Sequence, residues 1–124
     1  MSKAIVIDDS RAIRMILANT LTELGYEVSQ AANGKEGLAT VERESGPISL
    51  ILVDWNMPEM NGLDFVKQLR SNARYSSIPL MMVTTETEIS QMVAALEAGA
   101  NEYVMKPFTK EIIAEKLRLI GAIA

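Results

Sequence analysis

Leu50-Ile51-Leu52-Val53-Asp54-Trp55-Asn56-Met57-Pro58 is the stretch that decides the fold. Four consecutive apolar residues without alternation describe a strand buried on both faces, the habit of a parallel sheet covered by helices on either side. The run ends on a carboxylate followed by turn residues, so the strand delivers the charge of Asp54 to the carboxyl edge of the sheet, where α/β sheets bind their ligands. Ala4-Ile5-Val6-Ile7 ends in the same way on Asp8 and Asp9. If the two strands lie side by side, three carboxylates converge on one crevice. Two unit charges about 4 Å apart repel by roughly 4 kcal/mol at an effective dielectric of about 20, so the trio calls for a cation or a shifted pKa. A bound metal is the economical answer.

Outward from this stretch the chain alternates strand and helix, with no internal repeat, low-complexity tract or linker. A first strand over about residues 4–8 leads to a helix over about 10–24, whose apolar face carries Ile13, Ile16, Leu17, Leu21 and Leu24 and which Gly25 ends. Residues 27–31 alternate in polarity as an edge strand does, and Asn33 opens a short helix carrying Leu38 and Val41. Past the turn-rich residues 56–62, a third helix holds Leu63, Val66 and Leu69, and residues 80–84 form the fourth strand. Thr85 and Glu88 have capping-box spacing for a fourth helix that carries Ile89, Met92, Val93 and Leu96 and stops at Gly99. A short fifth strand over 102–105 is broken by Lys106-Pro107, and Thr109 caps a last helix with Ile112, Ile113, Leu117 and Ile120 on its apolar side. Met81, Met82 and Met92 read as core filler. The pattern predicts one α/β domain over residues 1–124, a doubly wound (βα)5 sandwich with a five-stranded parallel sheet. Its polar second and fifth strands belong at the edges, which fits the order 2-1-3-4-5 of flavodoxin-like sheets.

Composition narrows the chemistry. With 124 residues and 48% hydrophobic content the chain buries a core without disulfides. A formal charge of −4 and a pI near 4.9 argue against a nucleic-acid surface. There is no cysteine and no histidine, so thiol chemistry, Ser-His catalysis and zinc-style ligation are excluded. A metal must be held by oxygen, which points to magnesium or manganese. The start Met-Ser-Lys-Ala has no long apolar region, so neither a signal peptide nor membrane insertion is expected and the cytoplasm is the default location.

The strand ends carry Asp8 and Asp9, then Asp54, then Thr84 with Thr85, then Lys106. Taken singly, Asp9 or Ser10 reads as a helix cap, Lys106 as a solvated lysine and Asn61-Gly62 as a turn; the ordered set is what carries information. The Asp8-Asp9 pair, Asp54 with Met57-Pro58 and Gly62 after it, Thr84, and Lys106-Pro107 resemble the receiver domain of two-component response regulators over nearly the whole chain. Asp54-Trp55-Asn56-Met57-Pro58, Thr84 with Glu86 two residues on, and an aromatic at Tyr103 most resemble the single-domain chemotaxis members.

The resemblance implies a phosphorylation-activated switch that catalyses only its own phosphotransfer and dephosphorylation. It makes Asp54 the phosphoacceptor for a phosphohistidine on a CheA-like histidine kinase, with Lys106 and Thr84 on the phosphoryl oxygens and Thr84 and Tyr103 as switch residues. It assigns magnesium to Asp9, Asp54 and the backbone carbonyl of Asn56, with Asp8 acting through a water. Asn56, Glu86 and Thr85 would tune dephosphorylation, Thr85 being bulkier than the small residue usual in the family, and the Lys106-Pro107 peptide would be cis. A surface over helix 4, strand 5 and helix 5 would contact a flagellar motor switch protein, and a dedicated phosphatase is a further implied partner. A phosphorelay shuttle or phosphate sink is the alternative within the family.

Two other classes compete. A haloacid-dehalogenase-type phosphatase also uses an aspartate nucleophile with magnesium, but it resembles this chain less because Asn56 stands where that family has a second acid. A flavodoxin-like cofactor module shares the sheet order, yet Asp8-Asp9 would repel a cofactor phosphate.

Overall fold

In the computed structural model, which describes residues 2–44 and 46–123, the sheet is built from β1 (Ser2–Ile7), β2 (Tyr26–Ala31), β3 (Ile48–Val53), β4 (Leu80–Thr84) and β5 (Glu102–Met105). All neighbours are parallel, in the order β2-β1-β3-β4-β5. The expected topology is therefore the observed one. The continuous apolar runs form β1, β3 and β4 at the centre because only helix-covered positions remove both faces of such strands from water.

Helices α1 (Arg11–Glu23), α2 (Gly34–Arg43), α3 (Gly62–Arg70), α4 (Ile89–Ala98) and α5 (Lys110–Leu119) close the two faces, with a turn of 3-10 helix at Ala73–Tyr75. Strand alternation sorts the core into two layers. Ile5, Ile7, Ile51, Val53, Leu80 and Met82 face Val41, Phe65, Val66, Leu69 and Ala95. Ala4, Val6, Leu50, Leu52, Met81 and Val83 face Leu17, Leu21, Ile113 and Leu117. Met81 and Met82 are fully buried, as core filler should be. Side-chain caps from Ser10, Asn33, Asn61 and Thr109 start α1, α2, α3 and α5, each accepting from a backbone N–H three residues on.

Two helical expectations fail. Ile16 is 51% exposed, and on α4 Ile89, Val93 and Leu96 are 75%, 45% and 45% exposed while only Ala95 is buried. Ile112 of α5 is likewise largely exposed. Seven of the ten residues of α4 are apolar, spread beyond one narrow stripe, so periodicity could not tell which part would meet the sheet. The capping box of Thr85 and Glu88 does not form either: α4 begins after Glu88, which makes no side-chain cap bond. Residue 86 is held back in the loop, because its carbonyl accepts from the Tyr103 hydroxyl at 2.9 Å and its N–H reaches Thr84 Oγ1 at 3.3 Å.

Gly62 ties the fold to the strand ends. Its N–H donates to the Trp55 carbonyl at 2.8 Å, and a Cβ there would lie 2.1 Å from the backbone oxygen of Asp54. No flexible side chain could yield. Gly62→Ala should therefore destabilise the protein by about 1–3 kcal/mol, the usual cost of overpacking, and displace the loop after Asp54. Gly46, which has open space around its missing Cβ, supplies the control. Urea melts of both variants check this: Gly46→Ala should lose nothing.

Candidate functional site

Strand register brings the site together. Ile7 pairs with Val53, Val53 with Met82, and Thr84 with Met105, so Asp8, Asp54, Thr84 and Lys106 leave the sheet at one edge. The backbone closes this edge: the Asp54 N–H donates to the Ile7 carbonyl at 2.9 Å and the Lys106 N–H to the Thr84 carbonyl at 2.8 Å. The Lys106-Pro107 peptide is cis.

Asp8 and Asp54 are buried, at 1% and 6% exposure, while Asp9 is exposed. Ser10 takes the capping role on α1, leaving the Asp9 carboxylate free of it. One carboxylate oxygen from each of the three acids lies within 4.8 Å of the others. Lys106 Nζ reaches between the buried pair, 2.8 Å from Asp8 Oδ2 and 3.4 Å from Asp54 Oδ2. The other oxygens take backbone donors: Ser10 N–H to Asp8 Oδ1 at 2.8 Å, and Trp55 N–H to Asp54 Oδ1 at 2.7 Å.

Three carboxylates against one ammonium leave two formal negative charges at a single edge. Hard oxygen donors, two of them buried, fit a divalent cation of the magnesium or calcium type, and the chain offers no histidine or cysteine to favour a softer ion. The pKa of Asp54 is raised, first by burial and then by the charge of Asp8; Lys106, the Thr84 hydroxyl and the Trp55 N–H act against that rise.

Around this centre Thr84 is fully buried and Thr85 exposed. Asn56 Nδ2 donates to Glu86 Oε1 at 2.6 Å, a bridge between the loops after β3 and β4. Tyr103 is 5% exposed, with its ring inward and its hydroxyl on the Glu86 carbonyl; burial, Glu86 and Asp54 raise its pKa. An open groove of about 510 Å³ lined by Asp9, Trp55, Asn56, Met57, Pro58 and Asn61 lies on one flank. On the other flank Thr85, Lys106, Pro107 and Phe108 meet Ile13 and Ile16 in an apolar pocket of about 350 Å³.

Of the site residues singled out from the sequence, all but Tyr103 lie at this edge or in the loops bordering it, and Tyr103 sits within β5 and reaches the loop through its hydroxyl; three relations were not legible in the sequence. Lys106 is closer to Asp8 than to Asp54. Glu86 joins Asn56 through its carboxylate and Tyr103 through its carbonyl. Arg14 Nη1 donates to the Asp8 carbonyl at 2.6 Å, bracing the turn that carries the acid pair. All three are contacts between segments distant in sequence or across a turn, and no residue pattern announces them.

Comparison with known proteins agrees with this edge. Residues 4–118 match the model of the response regulator receiver domain. Chemotaxis protein CheY1 of Helicobacter pylori is 44% identical over 119 residues, 95% of either chain. A chemotaxis protein CheY homolog of Campylobacter jejuni is 43% identical over 116 residues, covering 93% of this chain and 88% of that one. The solved structure of Vibrio cholerae chemotaxis protein CheY4 superposes with a TM-score of 0.89 at 37% identity, over 97% of this chain and 98% of the other. The parallel sheet, the acid trio at its edge and this similarity across almost the full length lead to one conclusion: the chain belongs to the response regulator receiver domain family.

Proposed function

We propose that the protein is a phosphorylation-activated switch in chemotaxis, with Asp54 as its phosphoacceptor. The observation that carries this is the placement of one buried carboxylate, Asp54, beside Lys106 and within reach of two further acids. An Asp54 carboxylate oxygen attacks the phosphorus of a phosphohistidine on a partner kinase, the P–N bond breaks, and the imidazole leaves as an acyl phosphate forms. Burial strips water from the nucleophile, and Lys106 balances the charge that gathers on the phosphoryl oxygens. Asp9, Asp54 and the backbone carbonyl of Asn56 would hold magnesium directly and Asp8 through a water. Magnesium, when bound, neutralises the carboxylates and the incoming anion together. The Asn56–Glu86 bridge, with Thr85 beside it, borders the path by which water reaches the phosphoryl group.

Phosphorylation adds about 1.5 to 2 negative charges and new acceptor oxygens, one of which the Thr84 hydroxyl, already acting on Asp54, can satisfy by donating its proton. As a switch residue, Tyr103 would turn inward on phosphorylation to fill the space that a moving Thr84 leaves. Its ring already lies inward here, so phosphorylation would hold that arrangement in place instead of creating it. The exposed Ile89, Val93 and Leu96 on α4, Met105 on β5 and Ile112 on α5 form the surface through which partners read the state. The chemotaxis names of the relatives support a CheA-like histidine kinase upstream and a motor switch protein downstream.

Incubation with a small phosphodonor should label wild type only in the presence of magnesium and should not label Asp54→Ala. Equal labelling of the two, or full labelling in excess chelator, would overturn the assignment. Stability gives a second check. Because the folded-state pKa of Asp54 is raised, its contribution is favourable at low pH and is lost as pH rises through the folded value. Asp54→Asn should therefore raise the melting temperature of chelated protein at neutral pH by a few degrees, with the gain shrinking on acidification. For the output, Thr84→Ala and Lys106→Ala should accept phosphate yet fail to raise partner affinity, with Tyr103→Ala intermediate. Calorimetry with each variant held in the same phosphorylated state decides it, and full tightening in Thr84→Ala would show that the signal takes another route.

A further inference from the structure

One side chain fastens the end of α4 that lies away from the carboxylates. Arg70, the last residue of α3, donates from Nε and Nη2 to the Gly99 carbonyl at 3.1 and 2.9 Å and from Nη1 to the Tyr75 carbonyl at 2.7 Å. Nη2 also reaches the Ile78 carbonyl at 2.7 Å and Asn101 Oδ1 at 3.2 Å, and Asn101 Oδ1 accepts in turn from the Leu80 N–H at 2.8 Å. A single guanidinium thus joins the end of α3, the 3-10 turn, the entry to β4, the C-cap of α4 and the entry to β5. No carboxylate pairs with it among the described residues. Its charge is spent on backbone oxygens, including the C-terminal carbonyl of α4, where a cation complements the helix dipole. Gly99 fits this contact on two counts, a φ of 122° and a missing Cβ that would sit 2.7 Å from Arg70 Cγ.

The other end of α4 has none of this. Glu88 gives no side-chain cap, the first turn has no acid, Ile89 is exposed, and Gln91 Oε1 is buried without a partner. Gln91 and Met92 donate to the Glu88 carbonyl, both at 3.1 Å, but no acceptor among the described residues takes the N–H groups of Glu88, Ile89 and Ser90, and such ends fray. This loose end follows directly on Glu86, which holds Asn56 with its carboxylate and Tyr103 with its carbonyl.

We infer that Arg70 is the fixed pivot of α4: it pins the Gly99 end, so that rearrangement around Glu86 swings the Glu88 end and turns the exposed face of Ile89, Val93 and Leu96. A helix of ten residues is about 15 Å long, so a tilt of roughly 10° at Gly99 moves Ile89 by ~2.5 Å. That is enough to change a docking face while the sheet stays still. The inference rests on Asp54 being the input, and the two are separable in one experiment.

Hydrogen exchange by mass spectrometry is followed on the whole chain, in chelator and with magnesium plus fluoroberyllate as the phosphoryl mimic. In wild type without metal, amides of the first turn of α4 should exchange at least about tenfold faster than those of the last turn. Arg70→Met should speed the last turn until this gradient disappears, and Arg70→Lys, which keeps the charge but not the planar fork, should fall between. Glu88→Ser should slow the first turn about fivefold through a new cap, leave the last turn alone and shrink the response to fluoroberyllate. Equal protection at both ends in wild type, or last-turn protection unmoved in Arg70→Met, overturns the pivot. If Arg70→Met loses protection throughout the sheet, Arg70→Lys and Glu88→Ser decide by the same readouts. Fluoroberyllate bound at Asp54 but silent at the first turn overturns the pivot as a signalling device, whereas failure to bind at all counts against Asp54 as the input and leaves the metal-free gradient in support of the anchor.

Discussion

Lys106 Nζ stands 2.8 Å from Asp8 and 3.4 Å from Asp54, two carboxylates almost wholly removed from water. Neither acid could remain there alone. An isolated charge in such a place would neutralise itself by taking a proton, and two together would do so sooner. The ammonium, with one backbone N–H for each acid, keeps them together while leaving the edge short of positive charge. That shortage gives the site its chemistry, since it favours a hard divalent cation and an environment in which an anionic group can be received. The same shortage is unfavourable to folding, and it is the apolar sheet behind the acids that compensates for it.

The backbone around the acids is built to the same end. Gly62 lies so close to the Asp54 carbonyl that no side chain is admissible, and the Ile7 carbonyl and the Ala31 carbonyl hold the N–H groups of Asp54 and Asp8. Asp8 and Asp54 are thus set directly after strand ends, not on free loops, which is how a site keeps its geometry through a change of charge. What can move lies one layer out: the loops carrying Asn56, Thr85 and Glu86, and the helix that follows them.

That outer layer is uneven. Tyr103 is packed inward and bonded to Glu86 before any phosphoryl group arrives, and α4 is tied at one end by Arg70 and bare at the other. On the proposed switch role of Tyr103, such a receiver would begin part of the way toward its active arrangement. Its response would then be a shift between populated states and not the building of a new one.

The sequence by itself determined the architecture and the chemical set. Unbroken apolar strands demand helices on both faces, glycines and prolines mark the turns, and carboxylates at the ends of Ala4-Ile5-Val6-Ile7 and Leu50-Ile51-Leu52-Val53 must meet once those strands are neighbours. Period and polarity are local properties, so these features can be read along the chain. Tertiary structure alone decided which stripe of α4 is buried, because the apolar residues of that helix cover more than one stripe and its rotation is set by what it packs on. It also decided that Glu88, not Thr85, precedes α4, since the loop is held by Tyr103 from a different strand. The pairing of Lys106 with Asp8, the Asn56–Glu86 bridge and the five bonds of Arg70 span 98, 30 and up to 31 residues. Contacts of that range depend on distances no residue pattern encodes, and it is these that turn an acidic strand edge into a site with a direction of output.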